Sequence, residues 1–149
     1  MTWYDAFPSR LVLEVERVNQ LQRHFILRRN GSFLYWCGVI DDIPNGVTAD
    51  PLVVRIWYPE AFPAVGPSVY IVSPELGDSE LGHDWHRWYD GRVCVVEPRY
   101  WQMSTVAEVI EKTGDWYCNY TAKKAGLISC MPDVGRAEIS TASPPTEIP

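Results

Sequence analysis

The chain has 149 residues, 46% of them hydrophobic and 21% charged, and 13 Lys and Arg against 19 Asp and Glu give a formal charge of −6. Such a chain folds as one domain with a sizeable core, which excludes a disordered, fibrous or coiled-coil polymer. No apolar stretch approaches the ~20 residues that span a bilayer, and net negative charge repels nucleic acid and anionic lipid, so neither nucleic acid nor membrane is an expected partner.

Met1-Thr2-Trp3-Tyr4-Asp5 lacks the basic and apolar regions of a secretory signal, so the expected location is cytoplasmic. From residue 10 to 25, Leu11, Val15, Val18, Leu21 and Phe25 recur at helical spacing after a Pro8-Ser9 start, with Glu14, Arg17, Gln20 and Gln22 between them. Trp3 and Tyr4 ahead of this helix read as packing residues. Asn30-Gly31 then separates Phe25-Ile26-Leu27 from Phe33-Leu34-Tyr35-Trp36-Cys37, a strong hairpin signal. Further strands are expected at Leu52 to Tyr58, after a loop with Pro44-Asn45-Gly46, and at Ser68 to Val72, after the proline-rich stretch Pro59 to Pro67. Four short neighbours make an antiparallel meander, whose apolar face needs a helix to cover it: an α+β fold.

Regular patterning stops between Pro74 and Ser104, and long connections of this kind usually carry function. The stretch holds His83, His86 and Cys94. A second helix starts at Thr105, where Thr105-x-x-Glu108 has the form of a capping box; Val106, Val109, Ile110, Thr113, Trp116, Tyr117 and Tyr120 form its stripe, and Gly114 is its weak point. The domain is read as residues 1–130, with 131–149 as a mobile tail ending Ser143-Pro144-Pro145-Thr146-Glu147-Ile148-Pro149.

Cys37, Cys94, Cys118 and Cys130 form no C-x-x-C pair, which disfavours a zinc site or a disulfide framework. Cys37 in a strand and Cys118 in a helix read as small buried hydrophobes, and Cys130 as incidental. His83-Asp84-Trp85-His86 alone falls short of three protein ligands, so no metal and no cofactor are expected. Tyr58-Pro59-Glu60-Ala61-Phe62-Pro63-Ala64-Val65-Gly66-Pro67-Ser68-Val69 is a stiff bridge, because each proline fixes its own φ and pushes its predecessor to extended geometry. Downstream stand Gly91-Arg92-Val93-Cys94, then Trp101, then the second helix.

In this order, over roughly Arg10 to Tyr120, the chain resembles the ubiquitin-conjugating enzyme family: helix, four-stranded meander, an [FY]-P-x-x-[FY]-P-x-x-x-P-x-V bridge, a G-x-[IVL]-C segment, a Trp and a crossing helix. The resemblance implies a UBC-like fold in which Cys94 carries the C-terminus of a ubiquitin-like protein as a thioester and passes it to an amine. The family's eukaryotic members place an Asn eight residues before the cysteine; here that residue is His86, as in bacterial-type members, whose imidazole can donate to an oxyanion or take a proton from the amine. The family's Trp typically follows the cysteine by eight residues, whereas Trp101 follows by seven. The acidic or Ser residue near the acceptor lysine has no match by pattern, with Asp115 and Asp90 as candidates by proximity alone. The implied partners are a ubiquitin-like modifier, an activating enzyme that meets Arg10, Arg17 and Arg23 on or beside the first helix, and a target protein such as a nucleotidyltransferase, in a bacterial antiviral conjugation system. His83 reads as a solvated or turn-capping residue. Two alternatives stay open: a catalytically inactive UBC-fold module that binds a ubiquitin-like protein or partner enzyme, and a cysteine hydrolase with a Cys94–His86 dyad, which would need a third, orienting group.

Overall fold

The computed structural model describes residues 1–95, 101 and 104–139. Two helices open the chain, α1 (Trp3–Ala6) and α2 (Pro8–Gln20). Thr2 caps α1: its hydroxyl accepts from the Asp5 N–H, while the Asp5 carboxylate accepts from the Thr2 N–H. The apolar stripe of α2 is the expected one up to Leu21, but the helix stops at Gln20. Gln22 has φ 55°, a left-handed turn that redirects the chain, and Phe25 begins the sheet instead of ending the helix.

The sheet is β1 (Phe25–Asn30), β2 (Phe33–Ile40), β3 (Leu52–Trp57) and β4 (Ser68–Ser73), antiparallel throughout and in the order β1-β2-β3-β4. The meander is therefore as expected. Asn30 pairs with Phe33, so the two-residue turn is Gly31-Ser32, with Gly31 at φ 61° where a side chain is disfavoured. Alternation sends Leu34, Trp36 and Ile40 of β2 and Leu52, Val54 and Ile56 of β3 to one buried face. Each such side chain stabilises by about 1.5–3 kcal/mol on full burial. Phe25 lies on Gly38 of the facing strand, so closely that a Cβ there would sit 2.5 Å from the ring.

The last helix, α3 (Val106–Lys124), packs against α2 and β2 and closes the core. Val106, Val109, Ile110, Thr113, Trp116, Tyr117 and Tyr120 are all buried, as their spacing predicted. Its start differs from the expected capping box. The Thr105 side chain caps nothing; Ser104 Oγ donates to Glu108, and the Val106 N–H donates to the buried carboxylate of Glu14 at 2.9 Å. Among the described residues no helix is long and apolar enough to cross a membrane.

The proline bridge is held by packing as well as by its prolines. Phe62 is buried in an aromatic cluster with Trp3 and Tyr58, all three ring separations lying between 4.7 and 4.9 Å. Trp101 covers Gly66, where a Cβ would meet its ring at 2.9 Å.

The tail departs from its sequence reading. Residues 131–139, expected to be mobile, lie along α3: Met131 is buried, and Arg136 pairs with Asp115 and Asp42. Residues 140–149 of the predicted tail lie outside the described residues.

Candidate functional site

The described part of the connection after β4, residues 74–95, is built of short hydrogen-bonded pieces rather than free loop. Gly82 and Arg87 exchange backbone hydrogen bonds at 2.8 and 3.2 Å around a 3-10 turn at His83–Trp85. Trp88 and Gly91 then close a tight turn: the Trp88 N–H donates to Arg92 at 2.9 Å and the Gly91 N–H to Trp88 at 2.9 Å, with Gly91 at φ 93°. Arg87 sits buried inside, donating Nη1 to the Glu80 carbonyl at 3.0 Å and Nε and Nη2 to the Gly91 carbonyl at 3.3 Å each. A guanidinium with several donors suits this task, because it satisfies two carbonyls that no strand reaches.

The cysteine segment is fastened to the sheet. The Val93 N–H donates to the Val69 carbonyl of β4 at 3.0 Å, and the Val93 side chain is buried. Arg92 is fixed by Asp90, which accepts from its Nε at 2.7 Å, and by Ser68 Oγ at 3.2 Å. The next residue, Cys94, is half-buried, and its N–H donates to the His86 carbonyl at 2.8 Å. That bond ties the two sequence-predicted site residues together through the backbone.

His86 ends the 3-10 turn with φ 49° and ψ 46°. The left-handed region is sparsely occupied by residues other than glycine, and such positions cluster at functional sites. The turn is held from below by α3: Trp116 Nε1 donates to the Trp85 carbonyl at 2.9 Å, and Lys123 donates to the Asp84 carbonyl at 2.8 Å while lying 4.0 Å from the Trp85 ring. His83 stands edge-on to His86, ring centroids 5.1 Å apart.

Cys94 and His86 open onto one cavity of about 140 Å³, whose other walls include Lys112, Asp115, Trp116 and Asn119 of α3 and Met131 to Gly135 of the segment behind it. Of the two acidic candidates, Asp115 lines this cavity and pairs with Arg136 at 2.7 Å, whereas Asp90 is taken up by Arg92. The acid nearest the predicted histidine is one that sequence reasoning missed. Asp133 Oδ1 lies 3.6 Å from His86 Nε2, a pairing available when the imidazole is protonated. Nothing in a Pro132-Asp133 step beyond the last helix signals such a role. Among the described residues no three His, Cys, Asp or Glu side chains form a group able to hold a metal ion.

The other cysteines lie elsewhere. Cys37 is half-buried on β2, Cys130 is exposed, and Cys118 is buried in α3, where burial pushes its thiol up. Of the three arginines on or near α2, Arg10 is spent on the Ser104 carbonyl and the Phe62 ring, and Arg23 on Asp42 and Glu111; Arg17 is exposed. No protein-family model matches this chain, and comparison with curated proteins and with solved structures finds no match either.

Proposed function

We propose that this protein is a ubiquitin-conjugating-enzyme-like acyltransferase of the UBC fold, working in the cytoplasm and carrying the C-terminus of a ubiquitin-like protein as a thioester on Cys94. The observation that carries the reading is the shared cavity: a half-buried cysteine at the end of the Gly91–Cys94 segment, anchored to β4, faces the same space as His86. The Cys94 thiolate attacks the carbonyl of the activated modifier, the donor thiolate leaves, and a thioester forms. A target amine then attacks that carbonyl, the Cys94 thiolate leaves, and His86 accepts the proton that the new amide nitrogen sheds. Arg17 is the exposed cation of α2 left to meet an activating enzyme. A nucleotidyltransferase target and an antiviral role follow from the family resemblance alone.

Incubation with activating enzyme, ATP and modifier is expected to give a conjugate that thiol reductant removes and that Cys94→Ala abolishes. A conjugate that survives Cys94→Ala overturns the assignment. Asp133 beside His86 supplies a third group of the kind a cysteine hydrolase needs, and this favours hydrolysis as the second reading. The two separate by product: an amide on an added amine in the first case, free modifier whatever the amine concentration in the second.

A further inference from the structure

The wall of the cavity formed by residues 131–137 is held to α3 by contacts that recognise it as a peptide. Asn119, buried in mid-helix, donates Nδ2 to the Gly135 carbonyl at 2.9 Å and accepts from the Ala137 N–H at its Oδ1, 2.8 Å away. These are backbone groups two residues apart, so one carboxamide does for the segment what a neighbouring strand does in a sheet, with Gly135 itself turning at φ 70°. Between them Arg136 donates Nε to Asp115 Oδ1 at 2.7 Å and Nη2 to Asp42 Oδ2. A backbone clip and a two-carboxylate socket for one guanidinium together describe a site for a peptide that bears arginine next to a glycine turn. Only Met131 of the segment is fully buried, while Asp133, Val134, Gly135 and Arg136 stay exposed, so its release exposes little apolar surface.

We infer that residues 131–137 are a self-ligand occupying a peptide-binding groove beside Cys94, which an arginine-bearing peptide displaces when it approaches the thiol. The groove rests on this geometry; only the identity of the incoming peptide as the tail of a modifier rests on the function proposed above. The segment walls the cavity onto which Cys94 opens, so each excursion of the segment uncovers the thiol. Loosening one clip raises the fraction of time spent open, and with it the rate at which a small electrophile reaches the sulfur.

The test measures alkylation of Cys94 by iodoacetamide, followed by mass spectrometry of the Cys94 peptide, and needs no modifier or activating enzyme. Arg136→Ala is expected to accelerate alkylation about threefold to tenfold, the range for losing a half-exposed charged clip. Arg136→Lys, which keeps the charge and loses the fork, falls between. Arg136 is exposed, and Asp42 retains Arg23, so both variants keep the core intact. A synthetic peptide with the sequence of residues 131–139, added at millimolar concentration to Arg136→Ala, should restore protection, and the same peptide with alanine for its arginine should not. Unchanged or slower alkylation in Arg136→Ala overturns the self-ligand. Acceleration without protection by either peptide overturns the groove, and equal protection by both overturns selection for arginine. Failure of Cys94 to form a thioester strikes only the proposed function.

Discussion

His86 joins backbone conformation to chemistry at a single position. Alanine at φ 49° carries a left-handed penalty of about 1 kcal/mol, whereas asparagine tolerates that region well, so His86→Asn is the variant that changes the imidazole while sparing the turn. With the Cys94 N–H fastened to the carbonyl of this residue, either variant should load modifier nearly as the wild type does. Discharge to an amine should slow by ~10²-fold in His86→Ala, the scale of losing one general base or oxyanion donor. Asparagine restores part of the rate if hydrogen-bond donation is the contribution and none if proton transfer is. Single-turnover discharge of the three proteins measures this, and equal rates would leave His86 a turn residue. His86 was found through the family resemblance, which places an Asn eight residues before the cysteine, the position that His86 holds here. Asp133 was not, because only the folding of residues 131–139 against α3 brings it there. Glu14 was hidden for another reason: a carboxylate inside an amphipathic pattern reads as solvent-facing, although it shares the buried face with Val18. Its burial is tolerable because the Val106 N–H, the Tyr58 hydroxyl at 3.0 Å and Arg10 compensate it.

At the scale of the element, α3 shows how a weak point in a sequence becomes a packing requirement. Glycine in a helix interior costs about 1 kcal/mol relative to alanine, which made Gly114 look like a defect. A Cβ there would stand 2.8 Å from Asp42 Oδ2, 3.0 Å from its Cγ and 3.1 Å from Arg23 Nη2. Asp42 cannot retreat, since Arg23 holds it with two bonds of 2.6 and 3.0 Å and Arg136 holds it from the other side. Gly114→Ala should therefore destabilise by about 2 kcal/mol despite its helix propensity, because overpacking outweighs the backbone gain. In an Asp42→Ala background the same change should be neutral or stabilising. Urea denaturation of the four proteins of this cycle measures the coupling, and additive effects would refute the clash. The apolar stripes of α2, α3 and the strands were readable because burial imposes a period on them. The start of α3 at Thr105 was readable too, but its capping was not, because the Val106 N–H is met by Glu14, 92 residues earlier in the chain.

Across the whole molecule, a half-buried and a fully buried carboxylate oppose each other in acid. Residues 74–95 and 131–139 read as structureless because their order comes from isolated polar ties, such as Arg87 to Gly91 and Asn119 to Ala137, which leave no periodic trace. Asp42 belongs to this class of tie: its hydrogen bonds to Arg23, followed by those to Arg136, hold its carboxyl below the usual value of 3.8 despite partial burial. Its contribution is present above its unfolded pKa and is lost as pH falls through the depressed folded value. Glu14 runs the other way, since burial raises its carboxyl above 4.5 against the pull of Val106, Arg10 and Tyr58. The folded state favours its protonated form, so its contribution is full below the unfolded pKa and declines as pH rises through the folded one. Stability should therefore hold or rise as pH falls from neutrality towards the ordinary carboxylate range, and drop only below it. Glu14→Gln, which keeps an acceptor for Val106 and Tyr58, should remove the rise and leave the acid drop in place. Asp42→Asn should cost about 3 kcal/mol near neutrality, because it strips Arg23 of its partly buried partner, and should flatten the drop. Urea midpoints measured from about pH 2.5 to 7 resolve both limbs. An unchanged acid limb in Asp42→Asn would show that the clamp joining the loop after β2 to α3 and to residues 131–139 is not what acid undoes.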